Sequence, residues 1–174
     1  LKRPSDRIGL VAFAGRANIA APLTLDNDFF LANLSRLEIG TLEDGTAIGS
    51  ALVAGLNRLR DLKSKSKIVI LMTDGQNNAG KVPPVTAAEV AQTLGVKVYA
   101  VGVGTRGTAP VPYVDVFGQR RYRSMEVDID EETLTQIATK TGGKYYRATD
   151  TAKLREIYAE IDKLEKTVVE VKKY

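Results

Sequence analysis

The 174 residues include no cysteine and no histidine. Without cysteine there is no disulfide, no thiolate metal site and no cysteine nucleophile, although this says nothing about compartment. Without histidine the chain lacks the usual general base and the commonest zinc ligand. Ser-His-Asp hydrolysis and imidazole-based zinc catalysis are excluded. An excess of charge of one sign is also missing: 25 Lys and Arg face 21 Asp and Glu, a net charge of +4. The cations are scattered, apart from "GQRRYR" (Gly118 to Arg123) and the closing "VKKY". Both read as solvated surface rather than as a nucleic-acid footprint. No apolar run approaches the ~20 residues that span a bilayer, and the opening "LKRPSDRIGLVAF" reads as turn and strand, not as a signal peptide. The chain resembles a piece of a longer protein.

What is present is the composition of an ordinary soluble domain, with 44% apolar and 26% charged residues. The length predicts one domain over 1–174, large enough to bury a core without staples. "RIGLVAFAG" (Arg7 to Gly15) is a short apolar run closed by glycine, as a buried strand is. "ANIAAPL" follows as an edge strand whose pairing Pro22 limits. In "TLDNDFFLANLSRL", Asp26 is a candidate N-cap, with Phe30, Leu34 and Leu37 at helical spacing. Ile48, Ala51, Leu52, Leu56 and Leu59 then mark one helical face. Gly45, Gly49 and Gly55 weaken that helix in isolation, each by ~1 kcal/mol against Ala, but let it sit close to a neighbour.

"KIVILMTD" is the clearest buried strand. "TAAEVAQTLGV" predicts a helix with Val90, Ala91 and Leu94 inward and Gly95 just past its end. "KVYAVGVG" is a strand, and "DEETLTQIATKTGG" a helix capped by Asp130, with Leu134, Ile137 and Ala138 inward. "KYYRAT" is a strand, and the closing helix carries Leu154, Ile157, Tyr158, Ile161 and Leu164 on one stripe. Continuous apolar strands alternating with helices predict an α/β fold: a doubly wound, mostly parallel sheet with helices on both faces. One segment, Val111 to Ile129, is too long for a strand-to-helix loop and reads as an inserted β-hairpin turning at Gly118.

In open α/β sheets ligands bind beyond the carboxyl ends of the strands. Asp74 stands at such an end, and Thr46 opens a helix at the "DGT" of "EDGTAIGSAL". A carboxylate and a hydroxyl there are hard oxygen donors that suit Mg²⁺. The plainer alternative is that Thr46 caps its helix and Asp74 takes backbone N–H bonds from "GQNNAG". A second motif, "GVGTRG" (Gly102 to Gly107), fits G-x-G-x-x-G. Pro110 and Pro112 prevent the helix that a dinucleotide site requires, so it reads as a glycine turn.

Taken in order, "DRIGLVAFAG", "LTLDNDFF", "LEDGTAIGSAL", "KIVILMTDGQNNAG", "VYAVGVGT" and "GGKYYRATD" resemble a von Willebrand factor A domain over essentially the whole chain. The hairpin insertion and "LREIYAEIDKLEKT" look like the BatA branch of bacterial aerotolerance-type membrane proteins. The resemblance implies a Rossmann-like fold and a metal-ion-dependent adhesion site. Thr46 and Asp74 match two of that site's motifs, with Asp44, Gly75 and Asn77 on the rim. The third, Asp-x-Ser-x-Ser on a first strand, is absent. A shell of one carboxylate and one hydroxyl implies weak or no Mg²⁺ binding, or that of another divalent cation, by this chain. The absent strand is central in the family. Its gap is expected to be filled by a residual segment, by a strand swapped in a dimer, or by direct pairing of the flanking strands.

The implied function is a protein–protein interaction module, not an enzyme, whose protein partner completes the metal shell with an acidic residue. The parent is then a membrane-anchored protein of the bacterial envelope, held in the inner membrane with this domain in the periplasm. A metal-independent structural scaffold is the alternative. A metal-dependent phosphate-ester hydrolase is less favoured, since it needs more carboxylates and a base.

Overall fold

A computed structural model of the protein describes residues 6–38, 40–104, 107–127 and 129–171. The chain opens with β1 (Ile8–Phe13) and β2 (Ala17–Thr24), an antiparallel pair with a register irregularity between Ile8 and Val11. Helix α1 (Asn27–Ser35) follows, with Asp26 as its N-cap accepting from the Phe29 N–H at 2.9 Å. Next come α2 (Ile48–Leu59), β3 (Ile68–Thr73), α3 (Pro84–Thr93) and β4 (Lys97–Val103). β5 (Gly107–Val114) and β6 (Arg120–Val127) form an antiparallel ribbon. The chain ends in α4 (Glu131–Lys140), β7 (Tyr145–Ala148) and α5 (Thr151–Val171).

β3, β4 and β7 form a parallel sheet in that order. Alternate residues of β4 face opposite layers, as the period of two requires. Val98 and Ala100 join the core under α2, α3 and α4, built on Ile48, Leu52, Leu56, Leu134 and Ile137. Tyr99 and Val101 join the opposite core, against Ile157 and Ile161 of α5. Helix ends follow local chemistry. Asp130 caps α4 by accepting from the Thr133 N–H, and Gly142, at φ +76, ends it in the left-handed region that favours glycine.

The helical stripes bury less than their spacing predicts. α1 buries none of its residues, and Leu34 and Leu37 are exposed, because among the described residues the helix packs mainly against the β1–β2 pair. Val90 is exposed as well. α3 lies between α2 and α4 and turns the small residues Ala87, Ala88 and Ala91 inward. On α5, Leu164 is exposed and the neighbouring Glu165 is buried instead. The hairpin begins earlier than the proline-rich sequence implies, at Gly107, so a strand and not a helix follows "GVGTRG". Pro110 and Pro112 are tolerated because β5 pairs only with β6 among the described residues, which leaves one edge with no ladder to break.

The two strands that should flank a central strand do not pair with each other among the described residues: β1 bonds only β2, and β3 bonds only β4. Of the three ways of filling the gap, direct pairing is therefore not the one adopted there. α2 packs against β1, β2 and β3 and so bridges both pieces. The end of β1 is tied to the entry of α2 through Gly15 N–H to Glu43 O at 2.7 Å and Ala47 N–H to Ala14 O at 2.8 Å. Beside the open edge Ile70 is more than a third exposed, although it stands in the apolar run Ile68 to Met72.

Candidate metal centre

β3 buries Leu71 in the core and stops at Thr73, whose hydroxyl accepts from the Gly75 N–H and donates to the Gly75 carbonyl, each at 3.3 Å. That tight turn throws Asp74 out to solvent. Its carboxylate takes no hydrogen bond and joins no ion pair among the described residues. Across the rim, α2 begins two residues after Thr46. Its N-cap is Ala47, which has no side chain able to cap.

The exposed N–H groups of that helix start are satisfied from the loop after β3. Asn77 Oδ1 accepts from the Ile48 N–H at 2.9 Å, and Asn78 Oδ1 from the Thr46 N–H at 2.7 Å. The Thr46 carbonyl in turn accepts from the N–H groups of Asn78, at 3.1 Å, and Ala79, at 3.4 Å. Two asparagines thus do the capping that the plainer alternative gave to Thr46, and no amide among the described residues engages Asp74. The Thr46 hydroxyl and the Asp74 carboxylate are both left free there. They lie on adjoining pieces of backbone: a Cβ on Gly75 would stand 3.3 Å from Thr46 Oγ1. Asp44 is exposed on the loop leading in. Gly45, at φ +131, packs so closely that a Cβ there would meet Ala79 at 2.9 Å, which holds the two loops together.

The five residues singled out from the sequence therefore gather on one rim, in different roles. Thr46 and Asp74 offer free oxygens, Asp44 lies at the edge, Gly75 allows the close approach, and Asn77 is structural. Asn78 was not foreseen. A side-chain amide that caps a helix 32 residues away leaves no local signal. Chemically the donors are of the kind a hard cation takes, but they are only two oxygens, on adjoining loops, against the roughly six that Mg²⁺ prefers. Among the described residues no group of three or more acidic side chains is placed to hold a metal ion. The start of α2 adds a positive dipole end beside the rim, which favours an incoming carboxylate.

The family description of the von Willebrand factor type A domain matches residues 1–160, and the chain belongs to that family. An uncharacterized protein of Borreliella burgdorferi is 32% identical over 149 residues, covering 86% of this chain and 44% of that protein. The chain thus spans about half the length of the curated relatives it matches. Among solved structures, BatB from Bacteroides thetaiotaomicron has a TM-score of 0.75 at 27% identity, covering 92% of this chain and 80% of that one. An aerotolerance-related membrane protein from Bacteroides fragilis has 0.72 at 25% identity, covering 93% and 82%. Proximal thread matrix protein 1 from the mussel byssus, with a zinc-occupied metal-ion-dependent adhesion site, has 0.58 at 25% identity, covering 82% and 32%. Domains of this family are in general interaction modules rather than enzymes. No described helix of this chain is long and apolar enough to cross a membrane.

Proposed function

We propose that the chain is the protein-binding domain of a membrane-anchored envelope protein, and that Thr46 and Asp74 are its own ligands to a divalent cation, Mg²⁺ by preference. One observation carries this reading. The Thr46 hydroxyl and Asp74 carboxylate stand free among the described residues on adjoining loops, with Asn77 and Asn78 rather than Thr46 capping the start of α2. Further oxygens come from water, from the segment that the family places ahead of β1, and from an acidic side chain of the partner protein. The zinc-occupied site of the mussel protein supports a metal at this rim. The membrane protein of Bacteroides fragilis supports a membrane association; the periplasmic orientation is part of the proposal.

A metal-independent scaffold is the second reading. The small number of acidic donors at the rim favours it. Calorimetric titration with Mg²⁺ separates the two, using a longer stretch of the parent protein that includes the segment ahead of β1. Saturable binding is expected, weakened at least tenfold by Asp74→Ala and less by Thr46→Ala. No divalent binding supports the scaffold. Binding indifferent to Asp74→Ala overturns the ligand assignment.

A further inference from the structure

Among the described residues the β5–β6 ribbon supplies none of the groups of the candidate metal rim. Each strand pairs only with the other, so among the described residues the ribbon extends beyond the sheet. Eight residues per strand make it ~25 Å long. Its apex is the least buried apolar surface of the described chain: Val116 is 95% exposed and Phe117 83%. The turn behind this apex is prebuilt. Asp115 Oδ1 accepts from the N–H groups of Gln119 and Phe117, each at 2.9 Å, and Oδ2 from Arg121 Nε at 2.7 Å. These bonds hold the Asp115 carboxyl below the usual carboxylate range. The acidic residue nearest the apex is therefore ionised and already matched by Arg121. Arg120, opposite Val114, is exposed and joins no ion pair among the described residues. Tyr113 and Tyr122 follow further from the apex, both exposed.

We infer that this hairpin tip docks on an anionic phospholipid surface, with Val116 and Phe117 entering the interface and Arg120 meeting lipid phosphate. The order along the ribbon is apolar apex, then arginine, then tyrosine. It suits a bilayer boundary, where apolar side chains sit deepest and arginines and tyrosines lie together at the headgroup level. A convex apex flanked by free positive charge is complementary to a broad, soft, negative surface. A protein partner of this tip would need both a pocket for Phe117 and an acidic rim.

The chain has no tryptophan, so Phe117→Trp places a single indole reporter at the apex. Vesicles of phosphatidylcholine alone are compared with vesicles containing one quarter phosphatidylglycerol, by flotation and by indole emission. The expected result is flotation with the anionic vesicles only, weakened by salt. Emission from the Phe117→Trp variant should shift to the blue and be quenched by brominated acyl chains. Phe117→Ser should lower partitioning about fivefold, the effect of withholding part of a phenyl ring from an apolar phase. Arg120→Glu should lower it further, and circular dichroism should show both variants folded, since the apex supports nothing else. Flotation unchanged by both substitutions would mean diffuse attraction by the net positive charge, and would overturn the assignment. So would an indole at the apex that stays solvent-exposed on bound protein. Absence of flotation, with tip-dependent capture of an acidic protein, would assign the tip to a protein partner instead. None of these outcomes bears on Mg²⁺ binding at Asp74.

Discussion

Replacing Glu165 tests whether a buried carboxylate fastens the last helix to the sheet. Glu165 is 3% exposed, on the inner side of α5. It accepts hydrogen bonds from Tyr99 Oη at 2.6 Å, Lys97 Nζ at 2.7 Å and Ser66 Oγ at 3.3 Å. One side chain thereby joins α5 to β4 and to the loop before β3. Burial pushes its carboxyl up. The bonds from Lys97, Tyr99 and Ser66 outweigh burial and hold it below the usual carboxylate range. Glu165→Leu would strand the Tyr99 hydroxyl, itself on a residue 3% exposed, at a cost of about 1–3 kcal/mol. Lys97 is less affected, because its side chain is 27% exposed and its ammonium can reach water. The total therefore falls around the lower end of the range for broken buried pairs, about 2–4 kcal/mol. For a chain of this length that lowers the melting temperature by roughly 4–16 °C.

Urea denaturation followed by circular dichroism, run as a double-mutant cycle with Lys97→Met, isolates the pair. Lys97→Met alone should be costly too, since it leaves the carboxylate buried without its cation. The double variant should recover part of the loss. The depressed carboxyl contributes stability above its unfolded value, near pH ~4.3, and that contribution disappears as pH falls through the lower folded value. Acid unfolding of Glu165→Leu should accordingly be less steep. A cost below about 0.5 kcal/mol, the scale of ordinary surface substitutions, or a coupling of zero, would refute the argument.

Two glycines of α2 should respond with opposite sign. A Cβ on Gly49 would lie 1.9 Å from the Val82 carbonyl oxygen, whereas one on Gly55 would meet only Val69 Cγ2, at 3.9 Å. Gly49→Ala should cost about 1–3 kcal/mol or more through overpacking. Gly55→Ala should add about 0.5–1 kcal/mol through helix propensity, both read from urea midpoints. Asn77→Ala removes the acceptor for the Ile48 N–H and should cost about 1 kcal/mol. It should also weaken Mg²⁺ binding in the longer protein, although Asn77 is not itself a ligand. At alkaline pH, burial and the bond to Glu160 raise the Tyr146 phenol to about 12. Its contribution is complete below pH ~10, the ordinary phenol value, and is lost as pH rises towards about 12. Melting temperatures should fall across that interval, and less so in Tyr146→Phe.

Elements with strong local signals were legible in the sequence. Asp26 and Asp130 cap the helices they precede, and Leu134, Ile137 and Ala138 are the buried residues of α4. Burial of whole faces was less legible, because periodicity identifies an apolar stripe and not the surface that covers it. Leu34 and Leu37 have the right spacing, yet they belong to a helix and its exit that among the described residues pack mainly against the β1–β2 pair. Glu165 reads as polar surface until the sheet brings Lys97 and Tyr99 beneath it, 68 and 66 residues away in sequence. The rim divides in the same manner. Asp74 stood out because a carboxylate at the end of an apolar strand demands an explanation. The asparagines that cap α2 in place of Thr46 depend on a contact between distant loops.

Among the described residues the open edge and the candidate metal rim are neighbours, so a metal bound at the rim would be coupled to fold stability. β1 runs out at Ala14 and Gly15, which bond Ala47 and Glu43 on either side of Thr46, and β3 runs out at Asp74. A strand bonded to both β1 and β3 would satisfy two ladders and cover Ile70. One of its ends would lie beside the free oxygens of Thr46 and Asp74. If the segment ahead of β1 in the parent is that strand, it should raise stability without metal and create the site on which metal acts. Mg²⁺ at about 100 times its Kd should then add about 2.7 kcal/mol, or roughly 5–11 °C in melting temperature. The present 174 residues alone should show little of this shift. Asp74→Ala in the longer protein should abolish it while leaving the metal-free melting temperature in place. An equal Mg²⁺ shift with and without the segment would mean that the two free oxygens suffice. A segment that stabilises the chain without enabling any Mg²⁺ shift would leave the strand as structure and the rim as scaffold.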